Sequence, residues 1–189
     1  TVLFAFGLFA KTKELKFSDT GEFKIIQFTD LHFSYHSTKN DTTLETIRTV
    51  VEIEKPDLLI FTGDVVTDIP AREGWFKLGH ALEQIGIPWT ITLGNHDDEP
   101  SIGRGEIFDL VKNMPYFVGE SGPEITGYGN YVLRVLGSNS GKPAAAVYCM
   151  DSQGFGKISK LSGYDWFHQD QILWYRTQSE ALTAANDDT

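Results

Sequence analysis

Three short apolar runs set the rhythm of the first half of the chain: Phe23 to Thr29, Asp57 to Thr62 and Pro88 to Leu93. Runs of this length without alternation read as strands covered on both faces. Between them, apolar positions recur at helical spacing. Leu44, Ile47, Val50 and Val51 form a stripe that stops before Pro56, and Thr42 with Glu45 has the capping-box spacing, so a helix is predicted over 42–55. Trp75, Leu78, Leu82 and Ile85 predict a second helix, opened at Pro70 and closed by Gly86. Ile107, Leu110, Val111 and Met114 predict a shorter third one. Strand and helix alternate, which is the pattern of a parallel sheet with right-handed crossovers and places the chain in the α/β class.

After Pro115 the pattern changes. Residues 130–136 and 144–150 flank a turn rich in Gly, Ser and Asn and predict a hairpin, and a last helix is predicted over 170–185. Lys11 to Gly21 reads as a linker or an edge strand. Residues 22–189 are expected to be the N-terminal portion of one domain, preceded over 1–21 by an apolar segment and linker.

The 189 residues, 41% of them apolar, suffice for one hydrophobic core. A net charge of −10 repels nucleic-acid phosphates and anionic lipid at long range, so no nucleic-acid-binding patch is expected. A phosphate-bearing substrate then needs local positive charge, which bound cations can supply. The single cysteine, Cys149, excludes an intrachain disulfide and a cysteine zinc cluster, and reads as a small buried apolar residue. Thr1 to Ala10 is almost wholly apolar but too short to span a bilayer. It reads either as the remnant of a secretory signal, which would make the protein secreted or periplasmic, or as a first strand packed on the domain. Nothing later in the chain reads as a transmembrane span.

The polar residues that end the three runs are of metal-binding type: Asp30 and His32, then Asp64, then Asn95 with His96 and Asp97. Sites in open α/β sheets form at these carboxyl ends. Two carboxylates, an imidazole and an amide oxygen suit manganese, iron, zinc or magnesium, and not copper(I) or an iron–sulfur cluster. A carboxylate on the central strand can bridge two ions, so Asp64 is the candidate bridge. Two ions about 4 Å apart activate a water and hold both the attacking and the leaving oxygen of a displacement at phosphorus. His96 is assigned to donate a hydrogen bond or proton to the leaving oxygen. A nearby dication disfavours its protonated form unless a carboxylate offsets it, and Asp97, Asp98 and Asp68 are the candidates.

Asp30-Leu31-His32, Gly63-Asp64 and Gly94-Asn95-His96-Asp97, in this order at strand ends, resemble the first three blocks of the calcineurin-like metallophosphoesterases. Asp151-Ser152 and the stretch from Asp165-Trp166 to Trp174-Tyr175 resemble the purple-acid-phosphatase-like branch, and the likeness covers roughly residues 22 to 175. It implies a four-layer αββα sandwich with a dinuclear centre of two divalent or trivalent ions. Asp30 and His32 would bind the first, Asp64 would bridge, Asn95 would bind the second and His96 would face the phosphate. The implied activity is hydrolysis of a phosphate ester by a metal-activated water, on a phosphorylated small molecule or a phosphoprotein. The family completes its centre with histidines from a later strand and from a Gly-His-x-His block. Neither is present among His32, His36, His80, His96 and His168. The strands that carry them are therefore expected outside this chain, and an incomplete or non-catalytic module is the second reading. No tyrosine lies in Asp64 to Asp68, so a purple iron centre is not expected.

Outside these blocks, His36 stands in a loop that can reach the rim of the site, and Arg72 and Arg104 can contact phosphate. His36 and Arg104 are the candidate substrate contacts. His168 reads as an exposed or capping residue and His80 as solvated. Trp166, Trp174 and Tyr175 have partly helical spacing and read as core packing.

Overall fold

The computed structural model describes residues 14–99, 101–156 and 163–186. The apolar stretch Thr1 to Ala10, with both of its readings, lies outside the described residues. A parallel sheet is built from β1 (Ile25–Phe28), β2 (Leu58–Thr62) and β3 (Trp89–Thr92), in that spatial order. The register pairs Phe28 with Phe61 and Thr62 with Thr92, so the three strands end level with one another. The connections are α1 (Lys39–Glu54) and α2 (Ala71–Ile85), and α3 (Arg104–Val111) follows β3. β4 (Tyr131–Leu136) and β5 (Pro143–Cys149) form the expected hairpin, and α4 (Gln169–Asn186) lies against β5. Helices, parallel sheet, hairpin and final helix give the α/β layering anticipated from the alternation of strands and helices.

Burial explains which runs became strands. β2 is the central strand, and Leu58, Leu59 and Phe61 are fully buried, as a run covered on both faces requires. β1 departs from that expectation: it forms the outer edge of the sheet, so Ile25 and Gln27 face solvent and only its alternate residues are partly covered. The two sheets are joined through Tyr131 on β4, whose hydroxyl donates to the Ile91 carbonyl of β3 at 2.5 Å and also meets Thr90. Cys149 is buried beside it, and burial pushes its thiol up to about 11. Lys16 bridges to Leu136, so the segment before β1 runs along the hairpin as an edge.

Helix ends follow local chemistry in part. Gly86 closes α2 with φ 73°, the left-handed conformation that glycine adopts without a side-chain penalty. The capping box at Thr42 and Glu45 does not start α1. The helix begins at Lys39, because buried Asn40 hydrogen-bonds the backbone of Ser34 and draws one more turn onto the domain. The aromatics of the last segment also differ from expectation. Trp166 and Tyr175 are exposed: Trp166 stacks on His168 and Tyr175 edges Tyr148, and α4 buries only Gln171.

Candidate metal centre

All three parallel strands run out into tight turns along one edge, and backbone bonds lock the turns together. Asp30 N–H donates to the Gly63 carbonyl at 3.1 Å, His32 N–H to that of Asp64 at 3.0 Å, and Gly63 N–H to that of Thr92 at 2.9 Å. Asp30, His32 and Asp64 each hold a left-handed backbone, with φ of 53°, 44° and 50°. A non-glycine residue held there costs roughly 1–3 kcal/mol and persists only where its surroundings impose it. Gly63 and Gly94 are required by contact. A Cβ on Gly63 would lie 2.8 Å from the Gly94 Cα, and one on Gly94 would overlap the Asp64 carboxylate.

These turns bring Asp30, His32 and Asp64 together, with one ligand atom of each within 4.8 Å of the others. His32 Nε2 stands 3.9 Å from Asp30 Oδ1, while its Nδ1 meets the Thr67 hydroxyl at 3.1 Å. Thr67 thus holds the ring with Nε2 towards the carboxylates, the arrangement that outer-shell partners impose on metal-binding imidazoles. Asp64 is buried and Asp30 and His32 are exposed, so the cluster has a fixed floor and an open mouth. Asp64 Oδ1 accepts the His96 N–H at 3.0 Å, and the His96 ring centre is 6.4 Å from that of His32. Asn95 lies between Gly94, which abuts Asp64, and His96, so its backbone borders the same cluster. Two carboxylates and an imidazole at this spacing fit a hard or borderline cation.

Asp97 holds the cluster together. Its side chain is fully buried, Oδ2 accepting the N–H groups of Asp64 at 2.9 Å and Gly94 at 2.7 Å, and Oδ1 that of Val65 at 2.7 Å. Burial pushes its carboxyl above the usual carboxylate range, against the pull of those three donors. Asp97 gives His96 no hydrogen bond and acts on it only through its charge, as a lesser influence than Glu99. Asp98 pairs with Arg104 and Asp68 takes the Ser34 hydroxyl, so the other two candidates are also engaged elsewhere. Glu99 does that work: its Oε1 lies 2.8 Å from His96 Nδ1, and this hydrogen bond raises the pKa of the imidazole above its ordinary value.

Arg104 was expected to meet phosphate, and the structure gives it another place. It is buried, with Nη1 on Asp151 at 2.6 Å, Nη2 on the Gly94 carbonyl at 2.6 Å and Nε on Asp98 at 3.3 Å. It ties the end of β5 to the third turn of the site. Asp151 also accepts the N–H of Tyr128 at 2.9 Å, and its carbonyl takes the Gln171 amide at 2.9 Å. Arg72 pairs with Glu106. His36 is exposed and edge-on to Tyr35; the Ser34 hydroxyl and the Ile69 N–H hold the nearby Asp68 carboxyl below its ordinary range, with His36 a lesser influence. His80 is exposed on α2, and His168, partly buried at the start of α4, pairs with Asp165 at 3.0 Å while its N–H donates to Gln171.

The family model described as calcineurin-like phosphoesterase matches residues 23–185. A probable inactive purple acid phosphatase 29 of Arabidopsis thaliana is 30% identical over 200 residues, covering 92% of this chain and 51% of its own length. Phosphatase DCR2 of Saccharomyces cerevisiae is 31% identical over 183 residues, covering 84% of this chain and 32% of its own. The uncharacterized metallophosphoesterase YkuE of Bacillus subtilis is 34% identical over 77 residues, 40% of this chain. The chain spans about half the length, or less, of the curated relatives it matches.

Proposed function

This chain belongs to the calcineurin-like phosphoesterase family, and we propose that it hydrolyses phosphate esters at a dinuclear centre founded on Asp30, His32, Asp64 and Asn95. The observation that carries the reading is the convergence of Asp30, His32 and Asp64 within 4.8 Å at the ends of β1 and β2. Bound there, divalent or trivalent ions would supply Lewis acidity at phosphorus and a water nucleophile at neutral pH. Asp64, buried and with Oδ1 accepting the His96 N–H, would be the ligand shared by the two ions. His96, with Glu99 on Nδ1, presents its other nitrogen to the leaving oxygen and delivers the proton. The apolar run over 1–10 supports an exported protein within this reading.

Metal content after equilibration with manganese tests the proposal, together with turnover of the Asp64→Asn variant. About two ions per chain and a loss of turnover by orders of magnitude are expected; an Asp64→Asn protein of ordinary activity would sink the assignment. A second reading, a non-catalytic module with half a site, draws support from the word "inactive" in the names of several relatives. Among the described residues His80 lies exposed on α2 and His168 pairs with Asp165, and neither joins the Asp30, His32 and Asp64 group. One ion or none per chain would favour it.

A further inference from the structure

Beside the metal centre lies a pocket of about 460 Å³, lined among others by Asp98, Arg104, Tyr128, Gln153, Phe155 and His168. A short antiparallel ribbon frames its mouth. Gly156 N–H donates to the Gly163 carbonyl at 3.0 Å and Asp165 N–H to that of Gly154 at 2.9 Å, which sets Phe155 opposite Tyr164. Opposed residues of an antiparallel pair share a face, and these two ring centres are 5.0 Å apart. The ribbon is anchored at the end where Gly154 and Asp165 pair: Asp165 holds His168, and Gly154 packs against the Asp98 carboxylate, which a Cβ there would approach to 3.0 Å. Tyr164 then meets the His96 ring edge-on, centre to centre 5.9 Å.

Phe155 is nevertheless 60% exposed and Tyr164 53% exposed. Two exposed aromatic rings held in register by backbone bonds offer an apolar face that a ligand ring can cover. A ligand ring laid against Tyr164 lies within a ring's reach of His96, the group assigned to the leaving oxygen. A ring joined directly to that oxygen fits this position, and the remaining volume of the pocket takes its substituents.

We propose that the Phe155–Tyr164 pair and the pocket behind it form an aryl-binding subsite that selects phosphate esters of phenols, either free aryl phosphates or phosphotyrosyl peptides. This rests on the phosphoesterase reading above. In the reaction, the oxygen of water bonds to phosphorus, the bond from phosphorus to the phenolic oxygen breaks, and His96 gives that oxygen its proton; of the two water protons one stays on the phosphate and the other is released to solvent, from which His96 is reprotonated, yielding phenol and hydrogen phosphate.

Titration calorimetry on the manganese-loaded chain tests it, with phenyl phosphate, methyl phosphate and inorganic phosphate as probes. Phenyl phosphate binds about tenfold tighter than methyl phosphate, the size that two aromatic contacts supply. The ratio falls to near one in Phe155→Leu and is kept in Phe155→Tyr. Equal affinities for the two esters, with inorganic phosphate still bound in a manganese-dependent way, would overturn the subsite and leave the phosphoesterase reading standing. Loss of manganese-dependent phosphate binding would overturn that reading instead. Saturation transfer to the ring protons of phenol then decides the subsite: transfer that Phe155→Leu abolishes supports it, and no transfer refutes it. A phosphotyrosyl hexapeptide binding tighter than phenyl phosphate assigns peptides as the source, and weaker binding assigns free aryl phosphates.

Discussion

Replacing Asp97 by asparagine leaves its shape intact and removes one acceptor, so its cost can be worked out from three distances. Oδ2 serves two backbone donors, Asp64 and Gly94, and Oδ1 serves one, Val65. The amide oxygen of asparagine takes the pair and its NH2 is left facing the Val65 N–H. One buried donor without a partner costs about 1–3 kcal/mol, and removal of a buried charge offsets part of that. The net expectation is about 2 kcal/mol, or a fall in Tm of about 4–8 °C for a chain of this size. Asp97→Ala strands all three donors and costs more. The pH dependence has a definite sign: because burial raises the Asp97 carboxyl, the folded protein holds this proton at pH values where the unfolded chain has released it. Stability from this group therefore rises as pH falls towards the ordinary carboxylate range. Asparagine cannot titrate, so the gap between wild type and Asp97→Asn widens as pH is lowered through that window. Urea unfolding of the metal-free proteins at several pH values measures both effects. Equal stability of wild type, Asp97→Asn and Asp97→Ala at every pH would refute the clamp.

Three further expectations follow from neighbouring contacts. Thr67→Val removes the hydroxyl on His32 Nδ1 and lowers manganese affinity about 10–100-fold, whereas Thr67→Ser retains it; competition with a coloured chelator reads the difference, and a Val variant that binds as tightly as wild type contradicts the role. Glu99→Gln lowers the pKa of His96 in the metal-free chain, because the hydrogen bond that favours the imidazolium is weakened; an imidazole NMR titration with no downward shift excludes Glu99 as the partner. Arg104→Met leaves Asp151 buried without its cation and destabilises by about 3–5 kcal/mol; chemical denaturation showing a change below 1 kcal/mol would mean that the brace carries no weight.

What could be read from the sequence was what depends on neighbours along the chain. β2 appears as an apolar run because a central strand must be apolar on both faces, and Gly86 appears as a helix stop because α2 needs a left-handed residue there. Asp30, His32 and Asp64 were visible because each lies within four residues of a strand end. The partners that fix them come from distant parts of the chain. Arg104 could not be told from a surface arginine until Asp151, forty-seven residues on, closed over it. The edge position of β1 and the exposure of Trp166 and Tyr175 are likewise set by which elements lie alongside them. Asp97 had a faint local signal, a carboxylate three residues past the glycine whose N–H it accepts. Its charge still favours the His96 imidazolium, but its hydrogen bonds go to the buried turn, which claims acceptors before an open site does.

The left-handed backbones of Asp30, His32 and Asp64 also decide which replacements are informative. Aspartate and asparagine tolerate this conformation better than most residues. An Asp→Asn exchange at position 30 or 64 therefore alters charge and little else. Alanine or glutamate at the same positions asks the backbone to change as well, and a lost activity would then report on chain geometry as much as on the missing ligand. Position 32 has its own version of the rule. Asparagine keeps a polar group and suits the turn, whereas valine or isoleucine would open it.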